Sequence, residues 1–416
     1  MKDSPQRLPP AYWRQWTASA VSNVGDGMNT AAMPLLAYSL TDDARVLALV
    51  SFAAMIPWFL LALPVGVYVD RLDRRSLMVA ANSIRAALFG VVAVTAATGT
   101  LGVGLLLLLL LVVGCCEVVF DSSAQAFLPA IVSAEQLPRA NGILFATEVI
   151  GNGFVGLPIG AWLWVAAVGV PFGVNAAALA LAAMLVASIR VVPRLPDVSV
   201  ESRETARFRD QLRTGLRWLM EHRLLRTLAI LLGVTNMAHQ MGMALLVKFA
   251  AEELGVGPSG FGLLLALMSI GSIIGGFAGD RIARRLGERT ALLGAYVTFA
   301  VCMVGFGLAP HAAVLAAFAV VEGVAGTVWN VITVSMRQRV IPSELFGRVN
   351  SAYRWIGTGS IALGAVIGGQ IAYWGGLRAP FLVGAGATAL ALALAGRRLA
   401  DELRQLERVP APPSIT

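Results

Sequence analysis

The chain has 416 residues, of which 57% are apolar and only 13% are charged, and its formal net charge is +8. Soluble domains carry about 25% charged residues, so this composition and the mean hydropathy of +0.74 exclude an ordinary soluble protein. The basic residues lie between apolar segments rather than on one face, which argues against a nucleic-acid-binding protein.

Apolar segments long enough to cross a bilayer follow one another from end to end of the chain. They predict an all-α, polytopic membrane protein with twelve transmembrane helices. The predicted spans are residues 14–38, 46–69, 77–98, 101–125, 142–165, 168–189, 224–248, 260–279, 290–309, 311–335, 350–373 and 378–396. Short turns such as TGTLG, VAAVG and LAPHA join antiparallel neighbours.

The basic residues predict the orientation of the spans. Arg45, Lys248 and Arg378 lie at one set of loops, and Arg85 and Arg354 lie within spans. All other basic residues lie in the opposite loops and in both tails, and the positive-inside rule makes that side cytoplasmic. We therefore expect a multi-pass protein of the cell's inner or plasma membrane with both termini in the cytoplasm. The N-terminus lacks the pattern of a signal peptide.

The segment 191–223 is the long connection between spans, and its second part, ESRETARFRDQLRTGLRWLMEHR, predicts an amphipathic helix. Its apolar stripe, surrounded by arginines, is Phe208, Leu212, Leu216 and Leu219. This pattern is typical of a helix in the cytoplasmic headgroup layer. A calmodulin-like partner site is the alternative.

One charged motif occurs twice, displaced by 210 positions, just after the second and eighth spans. The first copy consists of Gly66, Asp70, Arg71, Arg74 and Arg75. The second copy consists of Gly276, Asp280, Arg281, Arg284 and Arg285. We call these ten residues the gate motif.

A second group of residues also recurs. Glu135, Arg139 and Asn141 return, displaced by 209 positions, as Glu344, Arg348 and Asn350. Six spans, a basic linker and six more spans in the same orientation form a parallel repeat. The predicted organisation is an N-terminal half at 1–190, a linker at 191–223, a C-terminal half at 224–400 and a cytoplasmic tail at 401–416.

The gate motif resembles the signature of the major facilitator superfamily, and the resemblance extends over all twelve spans. The stretch SNVGDGMNTAAMPLLAYSLT, followed by a proline-containing second span and DRLDRR, is further similar to its drug and siderophore exporters. The resemblance implies two pseudo-symmetric six-helix bundles, alternating access and a cavity lined by spans 1, 4, 7 and 10. It implies a proton-coupled exporter of amphipathic small molecules such as drugs, natural products or siderophores. The alternative is an importer or facilitator of a sugar or another nutrient.

In this family the first aspartate of the motif meets the start of span 11, where the helix dipole favours an anion. Arg74 or Arg75 then needs a carboxylate, and Asp121 is the candidate. Asn330 stands at the equivalent position of the second half, so the first copy is expected to close the cytoplasmic side more strongly. The alternative is that the motif only anchors the loops.

Charged residues at bilayer depth usually face a cavity or a partner. The candidates for proton coupling or the cavity are Asn23, Asp26, Glu117, Glu148, His239 and Glu322. Asn23 and Asp26 share one face of span 1, and Asp121 follows Glu117 on one face of span 4. The alternatives are that Asp26 or Glu117 is a fixed partner of Arg85, and that His239 is an ordinary packed histidine.

Phosphate-binding loops, metal motifs and nucleophile–base pairs are absent from the cytoplasmic loops of the sequence, which argues against an enzyme and against ATP use. We expect a monomer without metal or cofactor, driven by the proton gradient, whose partners are the bilayer, protons and a small-molecule substrate. In span 5 the stretch NGFVGLPIGAW has Leu157 where many exporters have a Gly-Pro pair, so the sharp bend usual there is not expected.

Overall fold

The computed structural model describes residues 7–69, 72–190 and 204–408, and within these ranges the chain forms helices and no strand. The helices are α1 Pro10–Leu40, α2 Ala44–Val69, α3 Arg74–Ala97, α4 Val103–Ile131, α5 Leu137–Glu148, α6 Leu157–Ala166, α7 Val170–Ala187, α8 Glu204–Glu221, α9 Arg223–Met243, α10 Leu246–Leu254, α11 Pro258–Leu286, α12 Glu288–Leu308, α13 Ala312–Val340, α14 Ser343–Gly375 and α15 Ala379–Arg408. The predicted all-α membrane fold is confirmed.

Ten of the described spans are long and apolar enough to cross a membrane, and α9 with α10, which meet at 47°, form an eleventh. The predicted first span corresponds to α1. It has 31 residues and is therefore about 46 Å long at 1.5 Å per residue. Its polar residues, among them Asn23, Asp26 and Asn29, lower its hydropathy. The twelfth span stays a prediction.

Local sequence explains where several helices begin and end. Asp73 caps α3 by accepting hydrogen bonds from the Ser76 backbone N–H at 3.0 Å and from the Ser76 hydroxyl. The Ser76 hydrogen bond holds the pKa of Asp73 below its usual value. Between α3 and α4, Gly99 has φ +67°, a conformation that favours glycine. The predicted short turns after α3, α6 and α12 are all present.

Contacts divide the chain into two compact units. The first unit contains α1 to α7 together with residues 250–266. A core cluster of this unit includes Tyr12, Met78, Phe127 and Val186. The Tyr12 hydroxyl donates a hydrogen bond of 3.0 Å to the Ala140 carbonyl and so ties α1 to α5.

The second unit contains α8, α9 and residues 267–408 of the described chain. Leu225, Leu292 and Tyr353 belong to its core cluster. The last helix, α15, continues to Arg408, so the first part of the predicted tail at 401–416 is helical. The predicted domain boundaries themselves stay predictions.

The predicted amphipathic helix is present as α8, and its apolar stripe packs on the second unit. Leu219 is fully buried in the core cluster, and Leu216 packs against the same cluster. Gly215 lies directly against the Arg348 backbone. The side chains of Phe208 and Leu212, and the segment 191–203, lie outside the described residues. The end of the stripe is therefore covered by the protein itself, which disfavours a calmodulin-like partner there.

The predicted fifth span is one continuous segment with an irregular centre. A π-helical stretch, Val149–Gly156, joins α5 to α6. The Leu157 N–H bonds to the carbonyl of Asn152, five residues earlier, immediately before Pro158. Proline has no N–H to donate, so the α-helical hydrogen bonding is interrupted at this point, and π-helical turns occur mostly as short insertions within α-helices.

Candidate functional site

Close helix packing positions the first candidate residue, Asp26 on α1. The helix contacts span 5 through glycines: Gly27 lies against Asn152 and Gly156, and Gly160 lies against the Met28 backbone. Small residues allow the backbones of membrane helices to approach closely. The packing fixes the height and rotation of α1, and with them the position of Asp26.

Asp26 forms an ion pair with Arg85 of α3. The Arg85 Nη2 and Asp26 Oδ1 atoms are 2.8 Å apart, and the two side chains are 3% and 23% exposed. Asn82, one turn earlier on α3, lies 3.5 Å from Arg85 Nη1. The alternative in which Asp26 pairs with Arg85 is thus the arrangement in this structure.

Two further carboxylates belong to the same group of charges. Glu117 and Asp121 lie one turn apart on α4, and both interact electrostatically with Arg85. Asp26, Arg85, Glu117 and Asp121 are therefore one cluster, which we call the acidic cluster. Arg85 pairs directly with Asp26 alone among the described interactions, and Glu117 forms no hydrogen bond among the described residues.

The other two candidates of the first unit lie outside this cluster. Glu148, at the end of α5, is exposed. Asn23 bonds within α1, since its Nδ2 donates to the Ser19 carbonyl at 2.8 Å. Neither residue contacts Arg85 directly among the described interactions.

The second unit contains a cavity of about 510 Å³. Four helices line it, α9, α11, α12 and α13; the lining residues include Asn236, His239, Ser272, Tyr296, Phe299, Glu322, Trp329 and Asn330. His239 and Glu322 were expected at a cavity, whereas α11 and α12 were not. Nothing in the spacing of Ser272, Tyr296 or Phe299 distinguishes them from ordinary buried residues of a span, so sequence reasoning missed them.

His239 of α9 and Glu322 of α13 form a pair in the cavity wall. His239 Nδ1 lies 2.9 Å from Glu322 Oε1, and the side chains are 34% and 6% exposed. Phe299 supports the histidine, with ring centroids 5.7 Å apart. Trp329 and Tyr296 pack edge to face at 6.3 Å. The cavity thus combines one buried carboxylate with several aromatic rings.

The first copy of the gate motif is described only in part, because Asp70 and Arg71 and the surroundings of Gly66 lie outside the described residues. Arg74 Nη1 donates to the Ala126 carbonyl at 2.8 Å, and Arg75 donates to the Ala187 carbonyl. These bonds tie the start of α3 to the ends of α4 and α7. The pairing of Asp121 with Arg74 or Arg75 stays a prediction, and the structure places Asp121 in the acidic cluster.

The second copy of the gate motif lies at the end of α11. Asp280 pairs with Arg284 one turn later, at 2.6 Å, and both side chains are exposed. Glycines often let membrane helices approach closely, and such a role would be expected of Gly276, but the structure shows that this expectation is wrong. A Cβ there would meet open space, whereas Gly271 and Gly275 lie against α13. Those two glycines are four residues apart and share one helix face, from which Gly276 is turned away.

Comparison with known proteins agrees with this architecture. The family model described as "Transmembrane secretion effector" matches residues 8–413. The chain is 27% identical over 387 residues to the multidrug efflux pump Tap of Mycolicibacterium fortuitum, covering 88% of this chain and 90% of that protein. It is 26% identical to Tap of Mycobacterium tuberculosis strain H37Rv, covering 88% of both.

The solved structures give the same fold. The nucleoside transporter NupG superimposes with a TM-score of 0.74 at 12% identity, over 97% of this chain and all of that one. The family match extends over nearly the whole sequence. The chain therefore belongs to the transmembrane secretion effector family of the major facilitator superfamily, and it is a multi-pass membrane transporter of small molecules rather than an enzyme.

Proposed function

We propose that the protein is a proton-coupled efflux pump that exports amphipathic small molecules of the drug class. Two relatives that align over 88% of this chain are named multidrug efflux pumps. An importer of a sugar or another nutrient is disfavoured by those relatives.

The acidic cluster is the observation that supports proton coupling. If all three carboxylates were ionised, the cluster would carry two negative charges more than Arg85 can balance. Such a surplus within a membrane is costly, and uptake of a proton relieves it. Asp26 is held by Arg85 at 2.8 Å, which leaves Glu117 and Asp121 as the groups with a proton to exchange. Of these, Glu117 has no hydrogen bond among the described residues.

The mechanism follows from alternating access. A carboxylate of the cluster takes a proton from the outside while the cavity is open outward. The protonated cluster carries less charge, so the outer side of the cavity can close around it. The proton leaves when the cluster faces the cytoplasm, and substrate binds from that side. The proton gradient is then the only energy source required, and we propose that no cofactor or metal takes part.

We propose that the protein resides in the bacterial cytoplasmic membrane with both termini inside and acts as a monomer. The orientation rests on the basic loops and tails, among them Arg14, Arg139 and Arg398.

Glu148 is proposed as a route for protons near the acidic cluster, since it interacts electrostatically with Asp121.

Transport in inverted membrane vesicles tests this function. A respiring vesicle acidifies its lumen, so an exporter that exchanges protons for substrate should accumulate a fluorescent amphipathic dye inside. A proton ionophore should abolish this accumulation. Accumulation that survives the ionophore would overturn proton coupling, and a complete lack of accumulation of drug-class dyes would overturn the proposed substrate class.

The gate motif predicts a difference between its two copies. Asp70→Asn should slow transport by roughly threefold or more, because it removes a carboxylate proposed to bind a helix N-terminus. Asp280→Asn should have little effect, since Asp280 pairs with Arg284 on an exposed helix face and such pairs contribute about 0.3–0.5 kcal/mol. Initial efflux rates at matched protein levels measure both. A larger defect in Asp280→Asn would contradict the proposed asymmetry.

A further inference from the structure

Glu322 is buried, with 5% of its surface exposed, and among the described residues it is the only acidic side chain that lines the cavity of the second unit. Its only described hydrogen bond joins Oε1 to His239 Nδ1. The second oxygen, Oε2, has no hydrogen bond in the described structure. It is also not one of the polar atoms that the protein encloses completely without a partner. It is therefore available to a ligand in the cavity.

We propose that this cavity binds an amphipathic cation through Glu322, and that protonated His239 competes with the cation for the same carboxylate. The inference rests on the proposed export function and adds to it a substrate charge and a recognition device. The acidic cluster of the first unit couples transport to the proton gradient, whereas the His239–Glu322 pair selects the ligand.

The rest of the cavity suits such a ligand. Its volume of about 510 Å³ lies within the roughly 300–1,000 Å³ of pockets for drug-sized molecules. Phe299 and Trp329 offer aromatic faces to a cation or to a planar ring. Asn330 and Ser272 can bind the polar groups of the ligand. One buried carboxylate among aromatic rings is a site for a single positive charge on an apolar body.

The pair has few competing charges around it. Within the described part of the chain, Glu322 is the charged group that interacts electrostatically with His239. From α12, the titratable groups that face the site are Tyr296, which lines the cavity, and Cys302, which interacts with Glu322. The helices α11, α14 and α15 contribute no ionisable side chain to the described cavity lining. A change in the charge of the cavity near neutral pH is therefore assigned to His239, the histidine of the lining.

The sign of the pH effect follows directly. When His239 is neutral, Glu322 leaves one uncompensated negative charge in the cavity, and a cation binds. When His239 is protonated, the imidazolium neutralises Glu322, and a bound cation adds an unbalanced positive charge. A cation should therefore bind more weakly at low pH, and a neutral ligand of similar shape should bind equally well at both values.

Binding of two dyes to the purified full-length protein in lipid nanodiscs tests the proposal. Fluorescence anisotropy gives Kd for rhodamine 6G, a cation, and for Nile red, which is neutral. Between about pH 8 and 5, the range in which histidines titrate, we expect rhodamine 6G to lose about tenfold in affinity and Nile red to change little. Equal pH dependence for the two dyes would overturn the proposal.

Variants assign the effect to the pair. Glu322→Gln should weaken rhodamine 6G at pH 8 by about tenfold or more, the usual loss when a charged hydrogen bond is removed, while Nile red reports that the cavity is intact. His239→Gln should abolish the pH dependence of rhodamine 6G binding but keep the affinity seen at high pH. The matched control Glu221→Gln, in an exposed pair on α8, should resemble the parent.

Two results would overturn the assignment: unchanged rhodamine 6G affinity in Glu322→Gln, or a persistent pH effect in His239→Gln. The proposed export function is judged separately. Glu117→Gln is expected to abolish uphill transport without changing either Kd, so failure of proton coupling and failure of cation recognition give different outcomes. If Glu322→Gln does not fold, the pH dependence of His239→Gln decides alone.

Discussion

Glu117→Gln is expected to reduce uphill efflux to below roughly a tenth of the parent level, because it removes the coupling between proton and substrate. Exchange of substrate across the membrane without a gradient should continue, because the alternating motion does not need a proton when substrate is exchanged for substrate. The glutamine preserves the shape of the side chain, so packing losses should be small. Reconstituted vesicles measure both quantities, uphill efflux under a pH gradient and counterflow in its absence.

The control is Glu221→Gln, the same chemical change in an exposed residue of α8, which should pump normally. Asp26→Asn is expected to fail as well but for another reason. It frees Arg85 from its partner at 2.8 Å, and Glu117 then becomes the fixed counterion of Arg85. If both Glu117→Gln and Asp26→Asn pump against a gradient like the parent, neither of these carboxylates is the coupling site, and Asp121, Glu148 and Glu322 become the candidates.

Gly156→Ala is expected to destabilise the first unit by roughly 1–3 kcal/mol, the usual cost of overpacking. A Cβ at this position would lie 2.6 Å from the Gly27 Cα and from the Val24 carbonyl oxygen, both on α1. These are backbone atoms, so relief requires α1 to move away from span 5. Because Asp26 is next to Gly27, such a movement should also weaken uphill efflux. Thermal unfolding in detergent and folded yield measure the loss of stability.

Gly90→Ala provides the matched control, since a Cβ at Gly90 of α3 meets nothing within 4 Å. Alanine replaces glycine in a helix with a gain of up to about 1 kcal/mol, so this variant should unfold at the parent temperature or above it. The two substitutions are chemically identical and should have opposite signs. Equal stability of Gly156→Ala and the parent would show that α1 and span 5 are not in close contact.

Several features of the protein follow from the sequence alone because they depend on local patterns. Long apolar segments predicted the membrane helices, short polar breaks predicted the turns, and the stripe of Leu216 and Leu219 predicted α8. The sequence also predicted α1 as the first span, although Asp26 and its polar neighbours lower the average hydropathy of this 31-residue helix and partly obscure it. The same residues that obscure the span are candidates for its function.

For the candidate site, too, the sequence predicted some features and not others. Ionisable residues within apolar spans are recognisable in the sequence because charge at bilayer depth is costly, and so Asp26, Glu117, His239 and Glu322 could be selected. Their partners could not be chosen, since Asp26 and Arg85 are 59 positions apart and His239 and Glu322 are 83 apart. Pairing over such distances depends on the rotation and height of each helix in its bundle.

The sequence by itself determined that this protein is a helical, repeated membrane protein with a few buried charges. Hydrophobicity, helix period and charge distribution are properties of the chain and survive without any tertiary contact. Only the tertiary structure decided that α11 and α12 line the second cavity, that Gly275 rather than Gly276 packs against α13, and that Arg85 pairs with Asp26. These facts depend on which helix faces meet, and the meeting of faces is set by side-chain packing across the whole bundle.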